Sequence, residues 1–307
     1  MRNVLVIGAS GFVGRHLADA GHRVRCLVQT PSRAPGLAAR HEVAPGDITD
    51  EAAVGRALDG MGAAYVSTHT LSPQRAPGGF MDVERRGLAN VVKGCLDRGA
   101  RRLVYVTSLG ITPDAPGTRA RGRWAAEESV LGGGLDATVV RPGLIVGAGG
   151  QGFGPLMAQA RRRVALVPGR GDVRRRSIGV HDLADLRVDI LGEPRAHGLR
   201  LEVGGDDLLT RDAMIDIAAR VLGRRPPRKL PMPVGIVAAA APLLSRLAKL
   251  PPGAARGLLE ALDVDRVGDV STSRAILPGT PAGFEAALRR ALAEAAVAPN
   301  PDERGPR

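Results

Sequence analysis

VLVIGASGFVG, residues 4–14, decides the fold. VLVIG runs without polar alternation, as a strand does when helices cover both of its faces. Gly8, Gly11 and Gly14 then give a G-x-x-G-x-x-G spacing at the junction of that strand with a helix. Each glycine has a physical task there. Gly8 permits the tight turn, Gly11 lets backbone approach a diphosphate, and Gly14 lets helix and strand pack closely. The helix start offers free N–H groups and a positive dipole end. Gly8, Ala9, Ser10, Gly11, Phe12, Val13 and Gly14 therefore form a candidate dinucleotide phosphate site. With 41 glycines a chance triplet is easy, and it is the position at the first β–α junction that gives this one weight.

Working outward, short β-branched runs at 22–29, 63–68, 101–108 and 136–143 alternate with helical patterns such as EAAVGRALDG and VERRGLANVVKGCLDRG, and HEVAPGDITD carries a third strand. This order predicts an α/β fold with a doubly wound parallel sheet over residues 1–150. Residues 151–298 are expected to form a smaller substrate-side and C-terminal helical lobe, and 299–307 a disordered tail. Within the lobe we expect a helix in 155–164, a short strand and helix in RGDVRRRSIGVHDLADLRVDIL, a strand in LRLEVGG, and a helix in RDAMIDIAARVLG capped by Thr210. RRPPRKLPMP reads as a proline-rich connection.

The chain has 307 residues, 44% of them hydrophobic but only 2% aromatic, so its core must rest on Ala, Val, Leu and Ile. A net charge of +12 invites a polyanionic partner. Only Lys93, Lys229 and Lys249 are lysines, however, and an excess of Arg, Ala, Gly and Pro matches the bias of a GC-rich genome, which weighs more than a nucleic-acid surface. Cys26 and Cys95 lie in apolar periodic segments without metal-ligand neighbours and read as reduced core residues of a cytoplasmic protein. The six histidines are scattered, and no metal is expected. The first strand begins at once, so no signal peptide is expected. The longest apolar run, VGIVAAAAPLL at 234–244, is broken by Pro242 and too short to span a bilayer. Oligomeric state is open.

GASGFVG, GDITD (46–50), LVYVTSLG (103–110), RWAAEE (123–128) and VVRPG (139–143) follow one another in the order and spacing of a known family. The chain resembles an atypical short-chain dehydrogenase/reductase of the branch that holds the NADH-binding-like accessory subunit of respiratory complex I and the NmrA-like regulators. The resemblance covers roughly residues 1–230. It implies that Asp47 and Ile48 lie beside the adenine, and that Thr68 and His69 close over the ribose. It places Ser108 at the catalytic Ser/Thr position, and Pro142 and Gly143 near the nicotinamide carboxamide. Members that reduce or epimerise carry Tyr-x-x-x-Lys on the helix after the fifth strand. Here Arg123 falls at the lysine position and Arg119 at the tyrosine. Arginine stays charged to above about pH 12 and cannot act as a general acid, but Arg123 can still bind ribose hydroxyls or a phosphate. Tyr65 and Tyr105 fall in strands and read as core or strand-face residues. The first helix is about a turn shorter than the family's.

The second strand ends LVQT, with Gln29 and no carboxylate to hold a ribose 2′-OH, and Arg33 follows. This favours NADP(H), with NAD(H) also possible. Two function classes remain. One is an NADP(H)-dependent reductase of a small carbonyl, enone or quinone, with Ser108 polarising the acceptor and a proton from water, His69 or His181. The other is a catalytically inactive redox sensor or accessory protein. The arginine run at 174–176 abuts the expected substrate cleft and would suit an anionic substrate or the cofactor phosphate. VHDLAD is read as a helix start capped by Asp182.

Overall fold

The chain runs β1 (Asn3–Ile7), α1 (Phe12–Ala18), β2 (Arg23–Val28), α2 (Pro35–Ala38), β3 (Glu42–Pro45), α3 (Glu51–Leu58), β4 (Ala63–Val66), α4 (Gly79–Arg98), β5 (Arg102–Val106), α5 (Thr118–Leu131) and β6 (Asp136–Pro142). It continues through β7 (Leu144–Val146), α6 (Phe153–Ala160), β8 (Val164–Pro168), β9 (Arg174–Gly179), α7 (Val180–Gly192), β10 (Arg200–Val203), β11 (Leu208–Thr210), α8 (Arg211–Val221), β12 (Arg228–Met232), α9 (Ser271–Ile276) and α10 (Phe284–Val297). The structure is a computed structural model that describes residues 3–18, 22–67, 79–115, 118–150, 152–169, 171–233, 235–236, 239 and 264–297. The expected tail, the apolar run at 234–244 apart from 235–236 and 239, and Thr68 and His69 lie outside the described residues.

Seven parallel strands form the main sheet in the order β3-β2-β1-β4-β5-β6-β10. The chain builds outward from β1 to β3, then returns to start β4 on the other side of β1. That reversal opens a crevice beyond the carboxyl ends of β1 and β4. The side chains of β1 divide by the strand period of two. Val4 and Val6 join a core with Leu17 of α1 and Leu183 and Ile190 of α7. Leu5 and Ile7 join the opposite core with Val54 and Leu58 of α3, Leu88 and Val91 of α4, and Val130 of α5. β4 and β5 are buried along their whole length, and apart from Arg102 at the start of β5 both are runs without polar alternation. Cys26 and Cys95 are buried and free, and burial pushes the Cys95 thiol up to about 12. Asp50 caps α3 by accepting from the Ala53 amide at 3.1 Å, and Thr210 caps α8 by accepting from Ala213 at 3.1 Å.

Two features differ from the reading of the sequence. The strand in LRLEVGG, expected within the second lobe, is β10, and it pairs with β6 at the edge of the nucleotide sheet. The sheet thus draws on residues both sides of position 150. The proline-rich RRPPRKLPMP contains β12, which pairs in parallel with β8. Pro231 is tolerated because the pair is a two-stranded sheet, both of whose strands are edges. A third core joins Met157 of α6, Met214 of α8, and Phe284 and Leu288 of α10.

One buried cation stands out. Arg187 of α7 is fully buried, and none of its three guanidinium nitrogens has a hydrogen-bond partner among the described residues. Burial pulls its pKa down to about 9, against the attraction of Tyr65. Arg102, by contrast, donates to Thr138 Oγ1 at 2.8 Å and to the Ile190 carbonyl at 2.7 Å. Desolvating an unpaired charge costs stability that an unbranched apolar chain of similar length would recover. Arg187→Met is expected to raise stability by about 1 kcal/mol or more, read as a rise of about 2 °C or more in Tm by calorimetry.

Candidate active site

Gly8 sits at φ +89°, where side chains are strained, and turns the chain out of β1. Its carbonyl accepts the Gly11 amide at 2.9 Å. A Cβ on Gly14 would overlap the Gly8 carbonyl, standing 2.6 Å from its carbon and 2.8 Å from the Ala9 Cα. Gly14 is therefore the close-packing glycine that lets α1 descend directly onto the end of β1. A Cβ on Gly11 meets one atom, the Gly8 oxygen at 3.1 Å, so that residue is bare for a ligand more than for packing. The first turn of α1 has no acidic residue to compete for its amides.

This cradle opens into a cavity of about 680 Å³ that follows the carboxyl ends of the strands. Gly8, Ser10, Gly11, Phe12 and Val13 line it after β1, Gln29 and Thr30 after β2, Gly46 and Ile48 after β3, and Ser67 after β4. Thr107 and Ser108 line it after β5, and Pro142 and Gly143 after β6. The volume suits a dinucleotide with a small substrate, within the ~300–1,000 Å³ usual for ligand sites. The glycine cradle and the absence of acidic side chains among the described lining residues fit the diphosphate of NAD(P)H. Among the described residues no group of His, Cys, Asp or Glu could hold a metal ion, and no helix is long and apolar enough to cross a membrane.

Beyond β2 and β3, Gln29 and Asp47 are joined to one another. The Gln29 amide donates to Asp47 Oδ2, while Asp47 Oδ1 accepts from the Thr49 amide and hydroxyl, both at 2.8 Å. Asp47 is thus engaged within its own turn and, unlike its neighbours Gly46 and Ile48, does not line the cavity among the described residues. Arg33 ends a short 3-10 turn, Pro31–Arg33, and its side chain lies outside the described residues. Gly143 has a packing reason of its own. A Cβ there would stand 2.8 Å from the Arg176 carbonyl carbon, so only glycine lets β9 cross so near.

Ser108 is half-buried, and its neighbour Thr107 belongs to a network that the sequence did not announce. Buried Glu127 of α5 accepts from Thr107 Oγ1 at 2.7 Å, from Nε and Nη2 of Arg141 on β6, and from Arg200 Nε of β10 at 3.1 Å. The Trp124 ring lies under both arginines, with guanidinium carbons 4.4 Å (Arg200) and 5.3 Å (Arg141) from its centroid. Charge-assisted bonds and stacking therefore lock the ends of β5, β6 and β10 together. Arg123 faces elsewhere. It is buried, pairs with Glu84 at 3.6 Å, and does not line the cavity among the described residues. Tyr105 donates to the same Glu84 carboxylate. Burial, with the Glu84 charge beside it, holds the Tyr105 phenol well above its ordinary pKa, and burial does the same to Tyr65. No tyrosine or lysine lines the cavity among the described residues.

The readings of His181 and Asp182 need correction. His181 opens onto a separate cavity of about 190 Å³ and bonds Glu294 of α10 at 2.8 Å, so it does not face Ser108. Asp182 does not cap α7, whose N-cap is Gly179, without a side-chain cap. Its carboxylate instead accepts the Ala282 amide at 3.0 Å and ties down the approach to α10. His16 of α1 stacks edge-on against both Phe12, at 5.4 Å, and His181, at 5.1 Å, linking α10 to the nucleotide helix.

A family model described as NAD(P)H-binding matches residues 8–194. A (4-alkanoyl-5-oxo-2,5-dihydrofuran-3-yl)methyl phosphate reductase of Streptomyces griseus is 30% identical over 270 residues, covering 86% of this chain and 88% of that protein. The mitochondrial NADH dehydrogenase (ubiquinone) 1 alpha subcomplex subunit 9 of Arabidopsis thaliana is 27% identical, over 76% of this chain and 62% of its own length. The crystal structure of an NADPH-dependent quinone oxidoreductase from Escherichia coli in complex with NADPH superposes with a TM-score of 0.75 at 20% identity, over 94% of this chain and 99% of that one, a likeness of fold.

The glycines separate by experiment. Gly14→Ala is expected to cost about 3 kcal/mol through overpacking against backbone, seen in denaturant unfolding. Gly11→Ala should unfold within about 1 kcal/mol of the parent, because its Cβ meets one atom, yet lose NADPH binding by fluorescence titration. His16 gives a pH test. Burial lowers its pKa more than the Phe12 carbonyl raises it, so the folded chain holds His16 neutral where the unfolded chain takes up a proton. Stability should fall as pH drops through about 6.5, and the fall in Tm between about pH 7.5 and 5.5 should be smaller in His16→Gln.

Proposed function

The chain belongs to the NAD(P)H-binding family, whose relatives include reductases, and we propose that it is an NADP(H)-dependent reductase of a small conjugated carbonyl or quinone, with Ser108 at the acceptor oxygen. One observation carries this reading: a single cavity joins the glycine cradle at β1 to a half-buried serine hydroxyl at the end of β5. The Streptomyces griseus relative is named for a substrate that is an unsaturated lactone bearing an alkanoyl group, which fits that acceptor class.

NADPH, when bound, supplies a hydride. Ser108 donates a hydrogen bond to the acceptor oxygen, where negative charge gathers. Val106, Leu109, Leu144 and Ile145 give that end of the cavity apolar walls that keep bulk water from the acceptor. The proton comes from water or from His69, which lies outside the described residues; Tyr65 and Tyr105 are buried in the sheet and His181 bonds Glu294. The preference for NADP(H) rests on Gln29 and Thr30, which follow β2 with no carboxylate, and on Asp47 being occupied by Gln29 and Thr49. NAD(H) remains a usable alternative with weaker binding.

The second reading, a dinucleotide sensor or accessory protein without turnover, is favoured by one specific observation: Arg123, at the family's lysine position, is paired with Glu84 away from the cavity. Fluorescence titration with NADPH followed by a panel of quinones, enals and cyclic enones separates the two. We expect saturable binding, oxidation of NADPH by at least one conjugated acceptor, and a kcat lower by about 10²-fold in Ser108→Ala with NADPH affinity retained. Saturable binding with no oxidation across the panel would establish the sensor, and turnover unchanged in Ser108→Ala would remove Ser108 from the chemistry.

A further inference from the structure

The two faces of the β8–β12 sheet have different surroundings. On the inner face Ala165 and Val167 of β8 are buried with Ile215 of α8, and Lys229 of β12 pairs with Asp216 of the same helix. The strand period of two sends the alternate residues to the other side. There Val164 stands opposite Arg228, and Leu166 opposite Leu230. All four are exposed, Leu166 at 37% and Leu230 at 42%. Ile236, four residues past β12, is 58% exposed. Of the seven large hydrophobic side chains exposed among the described residues, four therefore gather on or beside this small sheet.

Arginine gathers at the head of the same face. Arg161, Arg162 and Arg163 lead into β8, Arg224 and Arg225 precede β12, and Arg228 opens it. The Arg228 amide donates to the Arg163 carbonyl at 3.0 Å, and Arg224 Nη1 donates to the Arg161 carbonyl at 2.9 Å, so the two runs are held side by side. All six are exposed. None forms an ion pair among the described residues, and no Asp or Glu occurs in 161–171 or 221–236. Genomic bias accounts for the number of arginines in the chain, but not for six unneutralised ones at one end of an apolar face.

The chemistry of the face selects its partner. A nucleic acid would satisfy the arginines through its phosphates, but single-stranded bases stack on aromatic rings, and neither 161–169 nor 221–236 contains Phe, Tyr, Trp or His. A duplex backbone gains nothing from Val164, Leu166 and Leu230. A second copy docked on the same face would set arginine against arginine, a like-charge contact that opposes association. An anionic bilayer satisfies both halves. Aliphatic side chains enter the boundary between headgroups and acyl chains, and guanidinium forks grip lipid phosphates.

We propose that the outer face of the β8–β12 sheet, with the arginines at its head, docks the protein on an anionic lipid surface. The assignment rests on this surface alone and is independent of the reductase reading. Each arginine near such a surface strengthens partitioning by about fivefold, and the apolar side chains hold what the charges attract.

The test is sedimentation of the full-length protein with vesicles of phosphatidylcholine alone, or of phosphatidylcholine and phosphatidylglycerol in equal parts. The mixed vesicles are expected to bind at least about 10-fold more tightly. The triple variant Arg161→Gln, Arg163→Gln, Arg228→Gln should lose about 10²-fold in binding to them. The double variant Leu166→Thr, Leu230→Thr, which keeps β-branched strand formers in place, should lose about 10-fold. Tm and NADPH affinity should stay at parental values in both, so that lost binding is not lost folding. Equal binding to the two kinds of vesicle would overturn the proposal, as would parental binding by the triple variant. Parental binding by the leucine variant would reduce the surface to a patch of charge and overturn docking by the apolar face. A mixed-sequence RNA that binds more tightly than the mixed vesicles would reassign the surface to nucleic acid. A parent that is dimeric in solution, made monomeric by the leucine substitutions and indifferent to vesicles, would reassign it to a second copy.

Discussion

Backbone contact between Gly14 and Gly8 is the constraint on which the nucleotide end depends. There is no room for a Cβ on Gly14, so α1 enters the fold against the end of β1 instead of standing off from it. That approach aims the first amides of α1 into the crevice left by the β1–β4 reversal. The positive φ of Gly8 makes the turn possible, and the bond from Gly11 N to the Gly8 carbonyl closes it. The sheet supplies the rest: strands buried on both faces, packed by Val, Leu, Ile and Ala, in a chain that has few aromatic rings to place.

Charge is used unevenly across this arginine-rich chain. Much of it is surface, paired at helix spacing, as in Arg289 with Glu285 and Arg290 with Glu294, and such pairs add little. A smaller part is internal and does structural work. Glu127 gathers Thr107, Arg141 and Arg200, so three neighbouring strands present their ends in fixed register. Arg187 is the counter-case, a buried cation without a partner among the described residues. Between these extremes lie Arg175 and Arg266, which are half-buried and turned to the cavity. The same residue type thus acts as solvent-facing charge, as architecture and as a feature of the cleft, and burial together with the partner decides which.

Much of the sheet was legible because its signals are local. The apolar runs of β1, β4 and β5, the glycine spacing, and the Thr210 cap each depend on residues close in sequence and are found where expected. The same holds for Cys26 and Cys95, whose apolar surroundings marked them as core. Features that join distant segments were not legible. β10 completes the nucleotide sheet from beyond residue 200. β12 hides in a proline-rich stretch because an edge position excuses the missing donor. Asp182 looked like a cap but spends its carboxylate on Ala282, one hundred residues away.

The sequence by itself determined the doubly wound α/β fold, the glycine cradle and the place of the serine after the fifth strand. These follow from strand and helix periods and from the conformational freedom of glycine, which act over a few residues. Only the tertiary structure decided that Arg123 turns to Glu84 and that His181 serves α10 in place of the cleft. Those outcomes hang on which carboxylate, carbonyl or guanidinium a long polar side chain meets once the chain has closed. Such meetings span tens to more than a hundred residues, and local spacing carries no trace of them.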